Sequence, residues 1–501
     1  MKRILIIGNC PLPDENTKTR PAAGLRTYQF LKPLLKNKGF NIRLVTIAMP
    51  ECYGADFARK EDGNGVRFAN VSLLADPSGP PVADNFARFS ISKNDPELIP
   101  YIQKIHDDFS PEVIISVNTY PSYIASLIKS KSPLWSDLNG WIMAEAQAQA
   151  YKLDSNDYLS HYYKMERIVI KRADKFSTVS EAQKFALLGE LALMGRLNNE
   201  SFNYQFAHHI PNGIEWFEDE LKVLGSGGSA ENGRKAVGSG VDTGDGISAT
   251  FKSVPRGSFI LLWIGGYNTW ADEWNLFKGV EDAMKVCDKL YFVSTGGEIE
   301  GLDNKTFAKF KKLIEESPFK NRFVFLGWVD TADIPLIYKR ASCGINVDKP
   351  CIETFTGARN RINEMMKYGL PVITTLGSEI SYEVAQHETG IAVKSGDHGL
   401  VTDAICALYQ EWRGGFEHVS MKFKEFGRRG SEYIKENCNY DKTTSSLVGW
   451  LENPRSAPDR DVRLKLDKMV SLQNLRSAWR YLKENGFKKS FKKFLQKTRL
   501  S

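Results

Sequence analysis

Residues 353–373 read ETFTGARNRINEMMKYGLPVI. Gly357 ends a loop and opens a helix whose first turn carries Arg359 and Arg361. Gly369-Leu370-Pro371 stops that helix, and the apolar residues beyond it read as a buried strand. A helix followed at once by a buried strand is one repeat of a parallel α/β sheet. The two arginines are the odd feature. Cations at a helix N-terminus oppose its dipole. They are better placed if an anion binds there, where free N–H groups and guanidinium forks act together. A plain alternative is an ion pair between Arg361 and Glu364, three residues on.

The same alternation extends in both directions. Upstream, Phe259–Ile264, Leu290–Ser294, Arg322–Leu326 and Ser342–Val347 read as strands separated by helical patterns, and Ile391–Val393 follows downstream. The first half repeats the scheme with Ile4–Ile7, Ile42–Ile47, Val113–Val117, Pro133–Leu138, Lys175–Val179 and Phe206–Ile210. Ala22 to Leu35 carries Leu25, Tyr28, Leu31 and Leu35 at helical spacing. Between the halves, Leu224 to Gly257 is rich in Gly, Ser and Asp and reads as a linker or insertion. The fold class is therefore α/β, with two Rossmann-like doubly wound domains facing across a cleft. The expected division is 1–211, a hinge and insertion over 212–257, a second domain over 258–438, a crossing helix over 439–460 and a basic tail over 461–501. Ligands of such sheets bind at the carboxyl ends of the strands.

Two further places at those ends carry chemistry. The turn after the first strand runs from Gly8 to Pro21-Ala22-Ala23-Gly24-Leu25-Arg26. It has neither GxGxxG nor GxxxxGK[ST], which argues against a dinucleotide dehydrogenase and a P-loop enzyme. A glycine at a helix start admits a ligand to free N–H groups, or simply joins strand to helix. Asp137 and Asn139 share a face at the end of the fourth of these strands, Pro133–Leu138. They point into the cleft, or close an Asx turn there.

The chain has 501 residues and a net charge of +7. Thirteen Lys/Arg against three Asp/Glu fall between Arg460 and Ser501, so the remainder is near neutral. Phe487, Phe491, Phe494 and Leu495 form an apolar stripe beside lysines, which reads as a helix on an anionic membrane surface. A helix docked on the protein is the alternative. Nucleic acid is not an expected partner. The seven cysteines form no CxxC pair, so neither a disulfide framework nor a zinc site is expected. No apolar run reaches the ~18 residues needed to span a bilayer. Asp459-Arg460-Asp461 lies in the tail, and no DxD pair stands near the cleft, so no metal or other cofactor is expected.

Several segments, taken in order, resemble GT-B glycosyltransferases of the large retaining family four, or glycosyl transferases group 1. They are Gly24 after strand one, Ala173-Asp174-Lys175-Phe176-Ser177-Thr178-Val179-Ser180, Ile210-Pro211-Asn212-Gly213, and Phe325-Leu326-Gly327-Trp328-Val329. The last is Glu364-Met365-Met366 through Pro371-Val372-Ile373. The resemblance covers roughly residues 3 to 450. It implies a nucleotide-sugar donor, with Glu364 on the ribose and Gly24 beside the phosphate, Arg26 being grouped with it. Asn139 falls where the family often has a histidine near the reacting sugar, with Asp137 beside it. The sequence also departs from the pattern. Thr356 stands where the family has a second glutamate, for which Glu353 is the candidate substitute. The basic pair after the second domain's first strand is missing, and Asn268 stands in that loop. Arg359 and Arg361 are then the candidate diphosphate ligands. Expected catalytic residues are Asp137, Asn139 and Glu353; expected donor-binding residues are Gly24, Arg26, Asn268, Arg359, Arg361 and Glu364. The implied reaction passes a sugar to a glycan or lipid-linked acceptor on the cytoplasmic face of the membrane, with retention. A GT-B epimerase or phosphorylase and a non-catalytic scaffold remain as alternatives.

Overall fold

Ile4 and Ile6 pack into one apolar cluster and Leu5 and Ile7 into another. Phe259, Leu261 and Trp263 likewise separate from Ile260 and Leu262. Alternate residues of one strand thus face two different cores, as a parallel sheet covered on both sides requires. The computed structural model describes residues 1–15, 21–49, 67–69, 85–217, 220, 249–299, 303–413, 419–462, 479–480, 482–483 and 486.

The first unit runs β1 (Lys2–Cys10), α1 (Ala22–Leu35), β2 (Phe40–Ala48), β3 (Arg67–Ala69), β4 (Phe86–Ser92), α2 (Leu98–Phe109), β5 (Val113–Val117), α3 (Thr119–Leu127), β6 (Leu134–Leu138), α4 (Ile142–Leu153), α5 (Leu159–Arg172), β7 (Lys175–Thr178), α6 (Glu181–Leu193) and β8 (Ala207–His209). Among the described residues its sheet has eight strands in the order β3-β4-β2-β1-β5-β6-β7-β8. All pairs are parallel except β3 with β4.

The second unit runs α7 (Ala249–Lys252), β9 (Phe259–Trp263), α8 (Glu273–Met284), β10 (Leu290–Thr295), α9 (Thr306–Glu315), β11 (Phe323–Gly327), α10 (Ile334–Arg340), β12 (Cys343–Asn346), α11 (Ile352–Thr356), α12 (Asn360–Lys367), β13 (Val372–Thr375), α13 (Glu379–Gln386), β14 (Gly390–Val393), α14 (His398–Trp412) and α15 (Met421–Asn437). Its six described strands are all parallel, in the order β11-β10-β9-β12-β13-β14.

The stretch that opened the reading folds as its glycine dictates. Gly369 follows α12 at φ 71°. Its N–H donates to the Met366 carbonyl and that of Leu370 to the Met365 carbonyl, which closes the helix in a Schellman motif before β13. Two strands the periodicity passes over are β3 and β4. In β4, FARFSIS, Arg88 and Ser90 are buried on one face and break the apolar run. Arg88 is tolerated there because Glu15 pairs with it.

The chain then returns to the first unit through α16 (Tyr440–Thr443) and α17 (Ser445–Glu452). Tyr440, Leu447 and Leu451 join the same cluster as Ile4 and Ile6. Farther on, Arg196 grips Asp459 with Nε at 2.8 Å and Nη2 at 2.9 Å. Gly213, in the segment joining the two units, presses on this return. A Cβ there would lie 2.5 Å from the Tyr440 ring. The apolar stripe of Phe487, Phe491, Phe494 and Leu495 lies outside the described residues, as do residues 224–248 of the Gly/Ser-rich stretch. No helix among the described residues is long and apolar enough to cross a membrane.

Candidate active site

The carboxyl ends of the two sheets meet. α11 packs against α4 and α6 of the first unit. Ser180 Oγ donates to the Thr356 carbonyl at 2.7 Å. The Glu181 N–H donates to Glu379 Oε2 at 2.7 Å, and Asn363 Nδ2 to the Asn212 carbonyl at 3.3 Å. Thr356, standing where the resemblance calls for a glutamate, therefore contributes its backbone to the junction.

On the first unit, the expected roles of Arg26 and Asp137 need correction. Arg26 is 2% exposed and Asp137 0%. Arg26 Nε meets Asp137 Oδ2 at 2.9 Å and Nη2 meets Oδ1 at 2.7 Å. Ser177 Oγ donates to Oδ1 at 2.7 Å, and the remaining guanidinium N–H groups donate to the Ile210 and Pro211 carbonyls, Gln29 and Asn212. Two charges taken this far from water need partners inside the protein, and these two are matched by each other and their neighbours. Neither keeps a group for a substrate. They join α1, the end of β6 and the connecting segment.

Gly24 is also explained by the chain itself. A Cβ there would lie 1.8 Å from the Pro11 carbonyl oxygen, so the glycine admits backbone rather than a phosphate. Asn139 stays at the cleft, partly exposed. Its Nδ2 donates to Asn118 Oδ1 at 3.1 Å, and Asn118 in turn donates to the Ala23 carbonyl at 2.9 Å.

On the second unit, Arg359 and Glu353 need the same correction. Arg359 Nε meets Asp348 Oδ2 at 2.5 Å, and its two Nη atoms meet the Glu353 oxygens at 3.1 and 2.7 Å. All three residues are buried. The two carboxylates hold the Arg359 proton more firmly than usual, although burial opposes them. Burial pushes the Glu353 carboxyl up, against the pull of Arg359. Asp348 was missed in the sequence. Its one signal is an acid just past β12, next to the central strand of the sheet.

Arg361 differs sharply from Arg359 two residues earlier. Its Nη2 donates to the Gly266 carbonyl at 2.7 Å, and its guanidinium lies 4.3 Å over the Trp263 ring. Its Nη1 is buried without a partner among the described residues. No carboxylate pairs with Arg361 among the described residues, so the expected alternative of an Arg361–Glu364 pair does not form. Burial lowers its pKa to about 10. The loop beneath it is tightly turned. Gly265 has φ 88° and Gly296 φ 75°, and a Cβ on Gly296 would meet the Gly265 carbonyl oxygen at 2.4 Å. Asn268, in the same loop, is partly exposed. Glu364 lies one turn after Arg361 with its side chain 26% exposed, 3.5 Å from Lys367 Nζ. Lys367 makes its shorter contact, 2.8 Å, with Glu220. Arg361, Asn268 and Glu364 thus remain together on one side of the junction, with Asn139 on the other.

Sequence reasoning did not single out Glu145, in the first turn of α4. Its carboxyl is pushed up to about 7, first by burial and then by Glu353, with Arg359 opposing. Behind it, burial pushes the carboxyls of Glu166 and Glu190 up, and the neighbouring Glu190 raises Glu166 further. Trp141 Nε1 donates to Glu190 at 3.0 Å. Among the described residues, no group of three His, Cys, Asp or Glu side chains is arranged to hold a metal ion.

Residues 258–411 match the family model described as glycosyl transferases group 1. No curated protein matches the sequence significantly. Among solved structures, sucrose-phosphate synthase from Thermosynechococcus elongatus is 13% identical, with a TM-score of 0.57 over 90% of this chain and 98% of that one. HepE of Anabaena, solved with UDP-glucose, is 12% identical with a TM-score of 0.54, over 90% of this chain and all (100%) of that one. WaaG, a glycosyltransferase involved in lipopolysaccharide biosynthesis, is similar at the same 12% and 0.54, with 90% and 100% covered. At such identities these structures speak for the fold. Taken with the matched domain, they establish that this chain is a glycosyl-transferring enzyme of GT-B fold carrying a glycosyl transferases group 1 domain.

Proposed function

We propose that the chain transfers a sugar from a nucleoside-diphosphate sugar, and that Arg361 receives the diphosphate. The observation behind this is the buried Nη1 of Arg361, which has no partner. A buried guanidinium with a vacant donor and no carboxylate is ready for an anion. When the bond from sugar to phosphate breaks, negative charge grows on the leaving diphosphate. A cation held in a low-dielectric site stabilises that charge without reorganising. Glu364 would accept hydrogen bonds from the ribose hydroxyls, and Asn268 would adjoin the diphosphate. The solved structure of HepE with UDP-glucose lends support to a donor of this class.

In this reading the reaction retains configuration and needs no metal, Arg361 meeting the diphosphate charge. The acceptor is a glycan or lipid-linked glycan of cell-surface synthesis. The basic tail holds the enzyme reversibly on the cytoplasmic face of an anionic membrane. Flotation with anionic vesicles should separate the full chain from one ending near Asn453, and equal flotation of the two would remove the tail from the reading.

The decisive experiment is thermal melting with UDP, GDP and ADP, followed by turnover of the matching nucleotide-sugars. A ligand at 100 times its dissociation constant should stabilise the fold by about 2.7 kcal/mol. If no nucleotide shifts the melting temperature and no donor is turned over, the proposal fails.

A further inference from the structure

We infer that Glu145 accepts the hydrogen bond of the attacking acceptor hydroxyl and turns its oxygen toward the donor sugar, an inference that rests on the sugar-transfer reading above. Asp137, Glu353 and Glu145 are among the carboxyls where the two sheets meet. Asp137 has both oxygens engaged by Arg26. Glu353 has both engaged by Arg359. The Glu145 carboxyl makes no hydrogen bond or ion pair among the described residues, and the residue is partly exposed. It is a junction carboxyl without a side-chain partner among the described residues, and so left with a function to fill.

Its position suits an acceptor. α4 begins just past the end of β6, after Asn139 and Gly140, and α11 docks against it. Glu145 feels Arg359, two residues before the diphosphate candidate Arg361. The donor groups stand on the second unit, so the acceptor belongs against the first, where α4 lies. Gly140, at φ 99°, leaves room for the carboxyl: a Cβ there would lie 2.8 Å from Glu145 Oε1. A hydroxyl attacks well only when its proton is held and its lone pair aimed, and a carboxylate holds it more strongly than a neutral oxygen.

Charged and titratable groups surround Glu145 on several elements. Glu353 and Arg359 face it from α11 and the loop beyond, Tyr162 and Glu166 from α5, with Glu190 of α6 behind Glu166. Burial and the Glu353 charge hold its proton up to about 7. The carboxylate form therefore predominates only above that pH, and turnover should rise with pH through it.

The test needs no known acceptor, because water can serve as one. Hydrolysis of UDP-glucose, with UDP-galactose and GDP-mannose as further donors, is measured on both sides of neutral pH for the wild type, Glu145→Gln and Glu145→Asp. Glu145→Gln should lower turnover roughly 10- to 100-fold, the range for one charge-assisted hydrogen bond. UDP affinity should stay within about twofold, a change too small to count as a lost contact. The pH rise should vanish in the Gln variant and persist in the Asp variant. Near-normal turnover by Glu145→Gln, an unchanged pH rise in it, or a parallel loss of UDP affinity would overturn the inference. If Glu145→Gln does not fold, loss of the pH rise from the Asp variant overturns it. A wild type that binds UDP but hydrolyses none of the three donors overturns the transfer reading as well.

Discussion

Each sheet has an arginine at the carboxyl end of its central strand, and the two arginines live differently. Arg26, beside β1, is enclosed by a carboxylate, two carbonyls and two side-chain amides. Arg361, beside β9, has one carbonyl, one indole face and one vacant nitrogen. Arg26 is buried and Arg361 is partly exposed with its Nη1 buried, but exposure is not the main difference between them. The number of partners is. A fully matched buried charge holds structure together, whereas an under-matched one is a cost that a ligand can offset. The contrast recurs within one loop, where Arg359 has two carboxylates and Arg361 none.

Five variants can break or sharpen that contrast. The largest effect should come from Arg26→Ala, which strands Asp137 and should cost about 3–5 kcal/mol of stability in denaturant unfolding. Arg359→Ala should behave alike, stranding Asp348 and Glu353. Arg361→Ala should leave unfolding almost unchanged, and a stability loss equal to that of Arg26→Ala would erase the distinction.

Next comes the donor. Arg361→Ala should lose about 2–4 kcal/mol of transition-state stabilisation, read from kcat/KM for the donor. Near-normal kcat/KM at limiting donor would return Arg361 to a packing role. A smaller loss, about 1–2 kcal/mol in nucleotide diphosphate affinity, is expected for Glu364→Gln by calorimetry. Its carboxylate is partly exposed and shares Lys367, so its contact is weaker than that of Arg361.

The smallest effect is a pH dependence of stability. The Glu145 carboxyl lies at about 7 in the fold against an ordinary 4.5. Between those values the folded chain keeps a proton that the unfolded chain releases. The contribution of this group to stability is therefore present below about 4.5, falls as pH rises to about 7, and is constant beyond. Glu145→Gln should remove this slope and melt higher than the wild type above neutral pH. An identical pH slope in both proteins would mean that the carboxyl is not dehydrated by the junction.

Much of the architecture was legible in the sequence because it follows from local rules. Fully apolar runs such as Val113–Val117 and Phe259–Trp263 have one economical fate, a parallel strand buried on both faces. Glycine stops and helical spacing supplied the rest. β4 escaped because Arg88 and Ser90 interrupt its pattern, and the burial of Arg88 depends on Glu15, 73 positions away.

The sequence by itself determined two doubly wound sheets, the order of their elements and the zone where chemistry would lie. It also supplied the polar residues of that zone, for strand ends and helix starts are local features. Only the tertiary structure decided which of those residues are available. Asp137, Arg26, Glu353 and Arg359 drop out because partners brought from elsewhere in the chain satisfy them, Arg26 and Asp137 meeting across 111 positions. Arg361 Nη1 and the Glu145 carboxyl come forward because no such partner reaches them among the described residues. Hydrogen-bond satisfaction is a count of neighbours in space, and a one-dimensional pattern does not contain that count.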